Sequence, residues 1–176
     1  MIEIKLLTLL DLQGAKYLMN KNLDKYYEFN EISELYIKKG KLTEIQILTL
    51  KEIITPILEH PQWSKVKNYP HHNKDNRGIH IMKVCFYSYT LGLKSKKCEI
   101  KKIVIASMLH DFFDYDWTIS CEKKKLREKH GFVHSSISLK EAIKYFPTLV
   151  DDKVSDAILS HMWPLSKKPK YKESWI

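Results

Sequence analysis

The sequence predicts an all-α protein, and three observations carry that prediction. Apolar residues recur at steps of three and four, as in Ile79, Met82, Phe86, Tyr89 and Leu93, which is the period of a helix face. The strict alternation of a half-buried strand is absent. Five glycines and six prolines among 176 residues are few for a turn-rich β architecture.

The elements follow in order. Residues 3–19 read as a first helix and 29–39 as a second, ending at Gly40. Thr43 precedes EIQILTLKEIITPILEH, and Gln46 three residues later completes a capping-box pattern. Pro56 is expected to interrupt this helix and Pro61 to close it. Residues 60–78, HPQWSKVKNYPHHNKDNRG, read as a polar connection. A long helix begins at Ile79, and the next carries Ile100, Ile103, Val104, Ala106 and Ser107 up to His110. A further helix holds Leu139, Ala142, Ile143 and Phe146, with Pro147 beyond it. The last runs from about Asp151 to Met162 and stops before Pro164.

Composition bounds the function classes. The chain is long enough for one domain with a sizeable core, and a hydrophobic share of 44% excludes a disordered chain. Lys and Arg number 30 against 21 Asp and Glu, a net charge of +9. That excess suits an anionic partner. The basic stretches are interleaved with acids and apolar residues and belong to no recognised nucleic-acid module, so nucleic acid is not the expected partner. Cys85, Cys98 and Cys121 form no CxxC pair, and an odd count fits a reduced, cytoplasmic chain. Glu3, Lys5 and Asp11 break the apolar N-terminus, so neither a signal peptide nor a membrane span is expected there.

The chemistry concentrates in the histidines. IVIASMLHDFFDYDW, residues 103–117, ends a buried run on His110 and Asp111, two polar groups that need partners inside a protein. A lone His-Asp dipeptide carries little weight, and a single His on an apolar face is more often a hydrogen-bonded core residue than a ligand. The ordered set carries more. His80, His110, His134 and His161 sit on or beside four successive helices. The first two are 30 residues apart and the last two 27, each the length of two packed antiparallel helices. Such spacing lets the side chains return to one place between helices. Imidazoles with a carboxylate suit Fe, Mn, Zn, Co or Ni. His71 and His72 sit in a polar loop before the His80 helix and could line a pocket mouth, whereas His60 and His130 have weaker claims.

The order His80, His110-Asp111, His134, His161 resembles the HD-domain superfamily of metal-dependent phosphohydrolases. HDFFDYDW, HGFVH and HMWPL in that order, with KYKESWI, resemble a group of uncharacterised bacterial HD proteins. The likeness covers about residues 58–176, so residues 1–57 read as an N-terminal helical segment packed on an HD-like helical bundle.

The resemblance implies a metal site between helices and hydrolysis of a small phosphorylated substrate, a nucleotide among the candidates, by metal-activated water. It implies that His80, His110 and Asp111 hold one divalent ion and that Asp111, His134 and His161 hold a second, with Asp111 bridging. Asp114, about one helical turn after Asp111, could act as a general acid or base beside that water, or equally be a solvent-facing acid or a cap. Many members of the superfamily carry a Lys near this position; here phosphate contact would come from His72, Arg77 or Lys83. Trp117 and Trp163 could stack on substrate, although tryptophans in such places are more often core. The family's last metal-ligand Asp has no counterpart, since Asp151, Asp152 and Asp156 all precede His161 and the chain ends at Ile176. The expected consequences are partial metal occupancy, low activity and a second copy covering exposed apolar surface. Two alternatives stand beside hydrolysis: a di-iron oxygenase of the same fold, and a degenerate HD domain acting as a binding module.

Overall fold

The computed structural model describes residues 26–71, 75–95, 97–117, 119 and 130–176, without the side chains of His130 and Phe132. The helix expected at 3–19, His72 and Cys121 lie outside the described residues. Those residues form α-helices and no strand. They are α1 (Tyr27–Lys38), α2 (Glu44–Leu58), α3 (Pro61–Val66), α4 (Arg77–Lys94), α5 (Ile100–Leu109), α6 (His130–Tyr145) and α7 (Asp152–Ser160), followed by a 3-10 turn at Lys172–Trp175. No described helix is long and apolar enough to cross a membrane.

Local sequence explains most helix ends. After α1, the amides of Gly40 and Lys41 bond the carbonyls of Ile37 and Tyr36, both at 2.9 Å. This Schellman closure needs the left-handed φ of +60° that Gly40 supplies. The capping box at Thr43 is present: Gln46 N donates to Thr43 Oγ1 at 3.2 Å, and Thr43 N donates to Gln46 Oε1 at 2.9 Å. Asn76 caps α4 by accepting from the Ile79 amide at 2.8 Å, so α4 starts two residues before the first periodic apolar position.

Both prolines depart from expectation. Pro56 lies inside α2 and does not interrupt it. It sits on the exposed face, as does Glu52, whose carbonyl loses its partner and can be solvated, while Ile54, Ile57 and Leu58 are buried and hold the turn in place. Pro61 opens a helix instead of only closing one, occupying the first turn of α3 where an amide hydrogen has no helical partner. His60 caps α3, its Nδ1 accepting from the Gln62 amide at 3.2 Å. The stretch read as a polar connection therefore contributes Trp63 and Val66 to the core. α6 begins at His130, so His134 stands one turn inside it.

α5 is the centre of the molecule. Every residue from Ile103 to Leu109 is buried, the mark of a helix surrounded on all sides. It packs against α2, α4, α6, α7 and the C-terminal 3-10 turn. Phe29 and Ile32 of α1 and Ile47, Leu50, Ile54 and Ile57 of α2 share one apolar core with Ile81, Met82 and Phe86 of α4. Residues 26–57 are thus continuous with the rest, with no separate core of their own. Cys85 is fully buried there, its thiol pushed up to about 12 by desolvation. Gly78 lets α4 start hard against the end of α3: a Cβ there would meet Lys67 Cβ at 2.7 Å.

A buried carboxylate fastens the C-terminal segment. Asp156 Oδ2 on α7 accepts from the amides of Lys170 at 2.8 Å and Tyr171 at 3.3 Å and from Ser174 Oγ at 2.7 Å, and Lys167 Nζ stands 2.8 Å from Oδ1. Burial alone would raise its pKa; Lys167 and these donors outweigh that and hold it at about 2. Its folded value lies below the ordinary 3.8, so its contribution is complete above about pH 4 and is lost as pH falls towards 2. That contribution is on the order of 2 kcal/mol. Asp156→Asn is expected to melt several degrees below wild type at pH 6, with the gap closing towards pH 2; pH-resolved thermal melts of both proteins check this.

Candidate metal centre

Four helices deliver one imidazole each to the buried carboxylate of Asp111. His80 comes from the second turn of α4, and His134 from the second turn of α6. His110 and His161 are the residues that end α5 and α7. These two are built alike. Each ring's Nδ1 lies 2.7 Å from the carbonyl three residues back, Ser107 for His110 and Ile158 for His161. Last-turn carbonyls of a helix lack helical partners and can only accept. Nδ1 therefore carries the proton in both rings, and in the neutral ring Nε2 is left as a lone pair facing Asp111.

The carboxylate divides the histidines into two pairs. Oδ2 lies 3.4 Å from both His80 Nε2 and His110 Nε2. Oδ1 lies 3.5 Å from His134 Nε2 and 3.8 Å from His161 Nε2. Within the pairs, His80 and His110 bring their Nε2 atoms to 3.1 Å, and His134 and His161 to 2.8 Å. Ligands at right angles on an ion with bonds near 2.1 Å stand about 3.0 Å apart. The donor set and its spacing fit a metal centre.

The same contacts set the charge states of the cluster. Burial would raise the Asp111 pKa, but His110, His80 and His161 hold it well below the usual carboxylate range. Burial would lower His110, but the Asp111 charge and hydrogen bond and the Ser107 carbonyl raise it. Burial and the neighbouring His110 push His161 down to about 4, so it is a neutral donor near pH 7.

The other candidates fall in different places. Arg77 is fully buried, its guanidinium donating to the Phe113 carbonyl and, at 2.8 Å, to the Tyr115 carbonyl. It also lies 3.6 Å above the Phe113 ring. It clamps the loop that leaves Asp111 and does not line the cavity beside it. Desolvation lowers it to about 10, which leaves it charged at neutral pH. Asp114 is exposed, accepts from Tyr69 Oη at 2.9 Å, and lies outside the cavity lining. Burial would raise its pKa, but the neighbouring Gln62 side chain and the Tyr69 hydroxyl outweigh this and lower it, which makes it a weaker base. Lys83 is exposed and paired with Asp75. His72 lies outside the described residues. Asp151 caps α7 and pairs with Lys102 at 2.7 Å.

The cavity beside Asp111 measures about 760 Å³. Trp117, Trp163 and Trp175 border it, with Ile103, Ala106 and Ala157 on its apolar side. Trp163 is 48% exposed, so it is a cavity wall and not a core residue. Sequence reasoning missed Trp175, which no periodic pattern marks, and gave His71 no more than a place at the pocket mouth. Comparison with known proteins found no matching family model, no similar curated protein and no similar solved structure.

Two substitutions probe this arrangement. Asp111→Asn is expected to weaken divalent-metal binding by more than about 100-fold, beyond the range for groups that only orient a ligand. Competition titration against a chelating dye measures it, and unchanged affinity would contradict the site. Arg77→Ala is expected to destabilise the fold by about 3 kcal/mol or more, because it removes two charged hydrogen bonds and leaves two carbonyls unsatisfied; urea denaturation reads that loss.

Proposed function

We propose that the chain is a metal-dependent phosphohydrolase of the HD type, built on a two-ion centre that Asp111 bridges. The observation that supports this most is the division of one carboxylate between two histidine pairs, Oδ2 towards His80 and His110 and Oδ1 towards His134 and His161. His80 and His110 would hold one ion, and His134 and His161 the other. When bound, such ions supply a water that ionises near neutral pH and neutralise the phosphoryl oxygens.

The chain's own residues do the rest. Asp111 fixes the spacing between the two pairs. The Ser107 and Ile158 carbonyls hold His110 and His161 in the ligating orientation. Trp117, Trp163 and Trp175 offer flat apolar faces to the organic part of an ester. No Lys or Arg is among the described residues that line the cavity, so among these the phosphate would be neutralised by the ions. Asp114 is left out of the catalytic set, because it is exposed, engaged by Tyr69 and outside the lining.

The same lining supports a second reading, oxidation of a small organic molecule at a di-iron centre, since four imidazoles with one carboxylate also suit iron. One experiment separates them. Protein loaded in turn with Mn, Fe, Co, Ni and Zn is offered a panel of phosphate esters. Phosphate release that needs metal, stops with chelator and fails in Asp111→Asn is the expected outcome. Fully loaded protein that releases no phosphate contradicts hydrolysis; a mixed-valent iron resonance with oxygen uptake would establish the second reading.

A further inference from the structure

We propose that His71 is a metal ligand, supplied from the loop before α4 to the ion held by His80, His110 and Asp111. The inference rests on reading the centre as a metal site and adds a donor from outside the four helices.

Geometry carries it. Ligand atoms of His71, His80 and Asp111 all lie within 4.8 Å of one another. Ligands on opposite sides of an ion with bonds near 2.1 Å stand about 4.2 Å apart, so this bound places the three atoms within a small side-chain adjustment of a shared ion. The His71 ring stacks on His80, with centroids 3.8 Å apart and planes at 28°. The stack holds the His71 ring in contact with a proposed ligand of the centre, and a turn of the ring about its side-chain bonds would aim its nitrogen at the ion that His80 faces. His71 lines the same cavity as the other four histidines.

The backbone fixes His71 in this place. Pro70 pairs with Asn76 in an isolated β-bridge. The His71 amide donates to the Asp75 carbonyl at 3.0 Å, and the Arg77 amide to the Tyr69 carbonyl at 2.8 Å. The loop therefore leaves and returns at the first turn of α4, one turn before His80. Arg77 buries the base of the loop against Phe113, two residues beyond Asp111. One side chain thus ties both the loop that bears His71 and the loop that bears Asp111.

The two halves of the centre then differ. One has three histidines and the shared carboxylate, and the other has two histidines and the same carboxylate. The half with fewer protein donors keeps more positions open for water and substrate.

The test uses the full chain and Co²⁺ alone. Wild type, His71→Ala, His80→Ala and His134→Ala are titrated with Co²⁺ and followed by visible absorption, which reports the number and type of donors. Circular dichroism checks that each variant is folded. The inference predicts that His71→Ala weakens one binding step by about tenfold or more, shifts the spectrum of that step, and leaves intact the step that His134→Ala weakens. A His71→Ala protein with wild-type affinity and spectrum, while His80→Ala loses the step, would overturn the role of His71 and leave the metal centre standing. Wild-type protein that takes up no Co²⁺ would overturn both.

Discussion

One charge organises this molecule. Asp111 is 7% exposed and ionised, and a buried carboxylate is tolerated only where partners compensate it. Four imidazoles, each on a different helix, surround it, so this cluster forms only when α4, α5, α6 and α7 are all in register. The constraint also runs backwards to α5. That helix is buried on every side so that its end can carry His110 and Asp111 into the interior. Its length, from Ile100 to Leu109, sets how deep they go.

Around this charge the fold repeats one device. Two helices end on a histidine whose ring bonds the carbonyl three residues back. An unsatisfied helix end and the orientation of a ring towards Asp111 are resolved by the same hydrogen bond. The first turn of α4 is held more tightly still: Gly78 packs on Lys67, Asn76 caps the helix and Arg77 grips the Phe113 and Tyr115 carbonyls. The segments that converge on Asp111 are thus anchored through their backbones, which keeps donor positions independent of flexible side chains. Asp156 does the same for the C-terminal segment, whose Trp175 borders the cavity.

Much of this was legible in the sequence, for a physical reason. Helical periodicity marks buried faces, and residues about 30 apart on packed helices return to one level, so His80, His110, Asp111, His134 and His161 could be picked out before any coordinates. What was not legible depends on loops and on context. His71 lies in a polar stretch with no period, and only the Pro70–Asn76 bridge brings it beside His80. Arg77 read as a phosphate contact because burial of a guanidinium cannot be seen in a sequence that gives no hint of the carbonyls awaiting it. Pro56 read as a break because the rule for proline ignores which face it occupies, whereas Pro61 carried the signal of a helix start that went unread. Trp163 and Trp175 border a cavity formed by residues distant in sequence, which composition alone does not reveal.

The proposed sharing of Asp111 by two ions would be visible in the electron density. An anomalous-difference map from crystals grown with manganese tests it most directly. Two peaks on opposite sides of the Asp111 carboxylate are predicted, one beside His80 and His110 and one beside His134 and His161, separated by about 3.5–4 Å. A map with no peak within bonding distance of Asp111, in crystals that contain manganese elsewhere, would contradict the account.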